Sequence, residues 1–224
     1  MLKALVFDLD GTLCDTVEDL GTAVNYALKE HGFPERRMSE YPHFLGNGSK
    51  VLIHKALGEN KAAPEEEKAV FDTYLSYYNR HLCDKTRPFD GMKETLLQLK
   101  EEGYKLGVLT NKPESSALEM MEKIFPKTFD AVLGNSPAVP TKPDPKGMSL
   151  LLAELGVGPE ETAYGGDSDV DMILAEKAKV SKKMAFAYGY RPLGELLKYD
   201  PDVIIYRPSE ILDFVHKVNG EMNN

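Results

Sequence analysis

Leu5-Val6-Phe7 runs without a break into Asp8-Leu9-Asp10-Gly11-Thr12, and this opening constrains the fold more than any other stretch. A short apolar run closed by a turn signal is the pattern of a strand buried on both faces, and Asp10-Gly11 is such a signal. The carboxylates are therefore predicted to emerge at the strand's carboxyl end, where open α/β sheets bind ligands. A lone Asp-Gly is usually only a turn. That reading leaves Asp8 unexplained, because its side chain, two residues earlier, lies on the same side as that of Asp10. Two like charges this close are costly unless a cation or a phosphoryl group needs them.

The strand has no immediate β partner. From Asp15 to Arg87 the periodicity is helical: a Thr16-Val17-Glu18-Asp19 capping box, a stripe through Leu20, Val24, Ala27 and Leu28, and a Gly46-Asn47-Gly48-Ser49 turn opening a helix through Leu52 and Leu57. A third helix follows from Pro64 to about Leu82, with acids in its first turn and an aromatic stripe, Tyr74 and Tyr78 among it, that reads as core. From Pro88 onward strands alternate with helices. Strands are predicted at residues 106–109, 131–133, 162–164, 184–187 and 203–205.

Repeated β then α units imply a Rossmann-like parallel sheet with right-handed crossovers and helices on both faces. The predicted organisation is an α/β core of residues 1–14 and 88–224, interrupted by an all-helical insertion over 15–87. The two connections, near 13–17 and 83–90, return to one strand end and would form a hinge. Cys14 and Cys83 would share that neighbourhood as free thiols.

The balance of 27 Lys+Arg against 36 Asp+Glu gives a net charge of −9, which argues against a nucleic-acid surface. No span approaches the ~18 apolar residues of a membrane helix, and the amino terminus has no basic region followed by an apolar stretch, so a cytoplasmic protein is expected. An anionic substrate must then meet a local positive site within a negative protein.

Parallel strands present their carboxyl ends at one edge, so the residues after each strand converge. In order they are Asp8 and Asp10; Thr110, Asn111 and Lys112; Lys142; and Asp167 with Asp171. Such carboxylates suit a hard cation like Mg²⁺, which keeps several waters and bridges to a phosphate. Lys142 and the Thr110 hydroxyl would serve the same phosphoryl oxygens. Each member also has a plainer reading: a strand end, a surface lysine before a proline turn, and a helix N-terminus whose acids match its dipole.

Taken together, the stretches 7–12, 109–112, 142–145 and 166–171 resemble the haloacid dehalogenase superfamily of phosphohydrolases, in the branch with a helical cap after the first motif. The Gly46-Asn47-Gly48 loop resembles that of phosphoglycolate phosphatases. The resemblance implies an Mg²⁺-dependent phosphatase in which Asp8 is the nucleophile and Asp10 the acid and base. It further implies metal ligation by Asp8, the backbone carbonyl of Asp10, and Asp167, phosphate binding by Thr110, Asn111 and Lys142, and orientation of Lys142 by Asp171. Gly46, Asn47 and Gly48 would face the substrate, with His43, Lys50 and Tyr190 as further candidates. A small phosphorylated metabolite is the implied partner, for a monomer or a dimer. The chain departs from the family pattern at residues 177–183, where relatives commonly carry an Ala-Gly turn.

Three rivals stand beside this reading. A dehalogenase would not need Asp10, since a halide leaves without a proton. A sugar-phosphate mutase would share the core and differ in the cap. A binding module on a silent scaffold would not need the whole catalytic set. Phosphoglycolate leads as substrate, ahead of pyrophosphate, a nucleoside monophosphate or a sugar phosphate.

Overall fold

The computed structural model describes residues 1–58 and 62–221. Among the described residues, β1 (Ala4–Phe7) and β2 (Cys14–Asp15) precede four helices, α1 (Val17–Glu30), α2 (Tyr41–Phe44), α3 (Ser49–Leu57) and α4 (Pro64–Arg80). Then come β3 (Arg87–Pro88), α5 (Met92–Glu101), β4 (Lys105–Pro113), α6 (Glu114–Ile124), β5 (Ala131–Asn135), α7 (Lys146–Leu155), β6 (Thr162–Gly166) and α8 (Asp169–Ala178). The chain closes with β7 (Lys182–Phe186), α9 (Leu193–Leu196), β8 (Val203–Ile205) and α10 (Glu210–Glu221). No helix among the described residues is long and apolar enough to cross a membrane.

Six strands form one parallel sheet in the order β5-β4-β1-β6-β7-β8. β1 is central because its side chains serve both faces. Leu5 and Phe7 enter one apolar cluster and Ala4 and Val6 the other, all at 0% exposure. Full burial of such side chains contributes about 1.5–3 kcal/mol each, which explains a strand without a polar residue. After β1 the chain builds β4 and β5 on one side, then crosses back to build β6, β7 and β8 on the other. The carboxyl end of β1 therefore lies at the switch point where α/β sheets leave a crevice.

The helices α1 to α4 occupy the stretch between β2 and β3, and these two-residue strands pair antiparallel, Cys14 with Pro88 and Asp15 with Arg87. The two connections thus lie side by side, in a short ladder where no strand was expected. Cys14 is buried there and both cysteines are free. Burial pushes the Cys14 thiol well up, with Asp10 adding to the effect, so it stays protonated.

The expected capping box at Thr16 does not form. Thr16 makes no side-chain cap, and its hydroxyl donates to Asp10 Oδ1 at 2.7 Å. Asp19 turns instead to the returning chain, accepting the Lys85 and Thr86 amides and the Thr86 hydroxyl at 2.7–3.0 Å. Both side chains are drawn to partners outside the helix, which outcompete the local cap.

The stretch at 177–183 proves regular. α8 ends on Lys179 in the left-handed conformation (φ 55°), the Val180 amide bonds the Ala175 carbonyl, and β7 begins at Lys182. A lysine holds the position glycine favours at a helix end, at a cost of about 1–2 kcal/mol.

Candidate active site

The loops and strand extensions at the sheet's carboxyl edge bring together most of the residues expected there. β1 delivers Asp8, and Asp10 follows at the Gly11 turn. Gly11 has φ +85°, and any Cβ on it would collide with the Asp167 carboxylate and the Tyr190 ring, so only glycine lets the turn approach the next strand end this closely. β4 continues past Leu109 with a register shift, carrying Thr110, Asn111 and Lys112 inward, all three buried.

Lys142 is the positive centre. Its Nζ lies 2.7 Å from Asp8 Oδ1 and 2.7 Å from Asp171 Oδ1, and only the Asp171 contact is directed as a hydrogen bond. Burial alone would lower its pKa, but the Asp171 and Asp8 carboxylates outweigh that and hold the ammonium up at about 12. Asp171 is fully committed. Oδ1 accepts Lys142 and, at 2.6 Å, the Tyr164 hydroxyl, while Oδ2 accepts the Ser168 amide and hydroxyl. Asp171 is thus the helix-capping acid of α8 and the partner of Lys142 at once, since Ser168 and Asp171 also complete a capping box.

Asp8, Asp167 and Asp171 each offer a carboxylate oxygen, and these atoms lie within 4.8 Å of one another in a buried cluster. Burial, reinforced by the neighbouring Asp171, pushes the Asp8 carboxyl up to about 7 against the pull of Lys142. Burial and the Asp171 and Asp8 charges push Asp167 up to about 8. Three acids against one lysine leave the cluster short of positive charge, and Asp8 Oδ1 is buried without a directed donor. All-oxygen, hard donors of this kind fit a divalent cation. With Asp171 saturated, Asp8 and Asp167 are the carboxylates left to hold it. Asp167 is itself positioned by the Thr12 hydroxyl at 3.1 Å and the Tyr190 amide at 2.7 Å.

Asp10 lies outside that cluster in a different environment. Its Oδ1 accepts the Thr16 hydroxyl and sits 2.9 Å from Lys112 Nζ, itself 2% exposed and donating to the Tyr78 hydroxyl at 2.8 Å. The sequence pattern placed Lys112 at the site without a role and read Tyr78 only as core. Tyr78 is buried and stacks on Tyr74, yet its hydroxyl links α4 to the charge beside Asp10.

Asp8, Asp10, Thr110, Asn111 and Lys112 line a cavity roofed by Leu45, Gly46 and Gly48 from the α2–α3 loop. Thr110 Oγ1 accepts the Lys112 amide, so its proton is available to a ligand there. Asn111 also braces the roof, donating to the Gly46 and Lys142 carbonyls and accepting the Lys142 amide at 2.6 Å. Asn47, half-buried, and the exposed His43 and Lys50 do not line this cavity. Tyr190 turns its hydroxyl to the Thr16 amide at 2.7 Å and to Asp15. The space beneath the roof is small, about 30 Å³.

A family profile described as haloacid dehalogenase-like hydrolase matches residues 5–185, which include every residue of this cluster. The chain belongs to the haloacid dehalogenase-like hydrolases. It is a phosphoric monoester hydrolase of that family. The hydrolase is 34% identical over 207 residues to a phosphoglycolate phosphatase of Haemophilus influenzae strain 86-028NP, covering 89% of this chain and 92% of the relative. It is 33% identical over 202 residues to phosphoglycolate phosphatase 1 of Pseudomonas aeruginosa, covering 86% and 73%. Among solved structures it resembles a predicted phosphoglycolate phosphatase from Haemophilus somnus 129pt, with a TM-score of 0.87 at 29% identity over 96% and 98% of the two chains. A haloacid dehalogenase-like family hydrolase from Streptococcus pneumoniae is similar at a TM-score of 0.86 and 26% identity, over 96% and 98%.

Proposed function

We infer that this hydrolase is a cytoplasmic, Mg²⁺-dependent phosphatase acting on phosphoglycolate through a phosphorylated Asp8. The observation that carries the reading is the separation of two acids only two residues apart. Asp8 is buried against Lys142 in a cluster fit for a metal, while Asp10 is held beside Thr16 and Lys112. One environment suits a nucleophile and the other a proton carrier. The relatives' shared specificity and the glycine-bounded roof favour phosphoglycolate over other small esters.

Asp8 forms a bond to phosphorus as the ester P–O bond breaks, and the electron pair leaves with the alkoxide, which takes a proton from Asp10. A water then loses its proton to Asp10 and attacks the same phosphorus. The Asp8–phosphorus linkage breaks, restoring the carboxylate and releasing inorganic phosphate. Asp8, the carbonyl of Asp10, and Asp167 would hold Mg²⁺, which supplies neutralising charge to the phosphoryl oxygens. Thr110 and Lys142 bind those oxygens, and Asp171 orients Lys142. Residues 15–87 act as a lid on the core of 1–14 and 88–224, closing to exclude water and opening for release.

The test is a panel of phosphate esters assayed with Mg²⁺ on the wild type and on Asp8→Asn. Phosphoglycolate is expected to give the highest kcat/KM, and Asp8→Asn to lose turnover while keeping its circular dichroism. Undiminished turnover in that variant removes the mechanism. Isomer in place of free phosphate from a phosphosugar makes the protein a mutase, and a higher kcat/KM for pyrophosphate or a nucleotide reassigns the substrate.

A further inference from the structure

Arg191 follows Tyr190 in the loop after β7 and carries a charge that the proposed chemistry leaves unused. Its guanidinium is 9% exposed as a residue, and among the described residues no carboxylate lies within ion-pair distance of it. A buried cation is costly unless its donors are satisfied. Here two of its donors are met by backbone from the far side of the crevice: Nη1 donates to the Pro42 carbonyl and Nη2 to the Leu45 carbonyl, both at 2.7 Å. Those carbonyls flank the end of α2, immediately before Gly46.

The same loop grips the hinge at two further points. The Tyr188 hydroxyl donates to the Thr12 carbonyl at 3.0 Å, and the Tyr190 hydroxyl accepts the Thr16 amide while its own amide holds Asp167. Gly189 lets the loop pass this close, since a Cβ there would overlap the Asp167 side chain. One short segment therefore touches a proposed metal ligand, the hinge, and the roof. Arg191 bears the roof contact, and a planar fork suits two carbonyls where a lysine would reach one.

We propose that Arg191 is a positioning residue that fixes the height of the Gly46–Gly48 roof over Asp8 and Asp10, and thereby sets how small the substrate must be. This rests on the phosphatase reading of the site. The roof above the reacting acids has Asn111 as its other core anchor, through the Gly46 carbonyl. Without Arg191 the leading edge of the roof, from α2 to Gly46, is held on one side only. Substrate contacts made by the roof would weaken equally in the ground state and the transition state, which raises KM and leaves kcat in place.

The experiment compares Arg191→Met, which keeps the apolar stem, and Arg191→Lys, which keeps the charge, with the wild type in the full chain with Mg²⁺. Backbone hydrogen exchange over residues 41–52 and steady-state kinetics on phosphoglycolate and the bulkier p-nitrophenyl phosphate are measured. For Arg191→Met, exchange in the roof is expected to quicken about tenfold while β1 stays protected. KM for phosphoglycolate should rise about tenfold with kcat within threefold, and the preference over p-nitrophenyl phosphate should narrow. Arg191→Lys should recover little of this. Unchanged roof exchange in Arg191→Met overturns the proposal, as does a fall in kcat and melting temperature at constant KM, which marks a residue that only holds the fold together. A wild type that hydrolyses no member of the phosphate-ester panel refutes the phosphatase reading instead, and the exchange result then decides the roof contact alone.

Discussion

Lys112 places its ammonium 2.9 Å from Oδ1 of Asp10, the same oxygen that accepts the Thr16 hydroxyl. The lysine is sealed from solvent and the aspartate is 16% exposed, so the pair is stronger than a surface contact and weaker than a fully buried one. Lys112→Met leaves Asp10 without its cation and Tyr78 without its donor. We expect kcat on phosphate esters to fall about tenfold, a fraction of the 10²–10⁴ that a general acid and base contributes. Steady-state rates and a thermal melt of the same preparation check this, and an unchanged kcat removes Lys112 from the reaction.

Asp167 is a carboxylate the proposed cation needs, held ready by Thr12 and Tyr190. Adding Mg²⁺ to the metal-free wild type is expected to raise the melting temperature, since a ligand bound only by the folded state at a hundred times its Kd stabilises by about 2.7 kcal/mol. In Asp167→Asn the rise should vanish while the metal-free melting temperature does not fall, because a carboxyl that burial and its neighbours already hold towards the protonated form has been replaced by a neutral amide. Equal Mg²⁺ shifts in both proteins would place the cation elsewhere.

Asp19 ties the departing chain to the returning one through four hydrogen bonds from Lys85 and Thr86. Asp19→Ala strands the buried Thr86 amide and hydroxyl, and hydrogen bonds to a charged acceptor are worth about 1.5–3 kcal/mol each before they are shared. A loss of about 2–4 kcal/mol is expected, read by urea denaturation, with faster proteolysis between residues 81 and 90. A loss below 0.5 kcal/mol would show that the β2–β3 ladder holds the hinge alone.

Asp130 provides a pH-dependent contribution far from the catalytic edge. Burial alone would raise its pKa, but the Leu106 amide at 2.9 Å and the Lys100 ammonium at 3.1 Å outweigh that and hold the carboxyl below its ordinary range. A lowered folded-state pKa means stability that is present above the unfolded value near 3.9 and lost as pH falls through the folded one. Asp130→Asn should therefore melt lower than the wild type at pH 7, by about 1 kcal/mol, with the gap narrowing below pH 4. A gap that stays constant between pH 7 and pH 3 contradicts the assignment.

The catalytic edge was legible where chemistry and strand ends coincide in sequence. Asp8, Thr110 and Asp167 each follow an apolar run, and a parallel sheet brings such positions together whatever lies between them, while Lys142 arrives from the loop between β5 and α7. The sequence pattern could not show which of these groups are already occupied. Asn111 and Asp171 carry the right chemistry, but their hydrogen-bonding capacity is committed to Gly46, Lys142, Tyr164 and Ser168. Thr16 and Asp19 have the local pattern of a helix cap and are drawn off by Asp10, six residues away, and Thr86, sixty-seven residues away. Tyr78 and Arg191 were hidden for the same reason, since their partners lie on other elements and no periodicity encodes a contact between a strand end and the helices of residues 17–80. Ser168 was the exception, because Ser-x-x-Asp is a visible capping signature.

The two-residue pairing of Cys14 and Asp15 with Pro88 and Arg87 gives the excursion of some seventy residues a single seam. Departing and returning chains are one strand spacing apart, ~4.8 Å, so the catalytic sheet experiences the whole excursion as if it were one tight loop. Lengthening a helix beyond the seam, or exchanging all four for another unit with equally close ends, leaves the register of β1 against β4 and β6 untouched. Exchange of the helices would still take the Tyr78 hydroxyl from Lys112 and the Pro42 and Leu45 carbonyls from Arg191, so a designer who transplants the unit must also rebuild those partners.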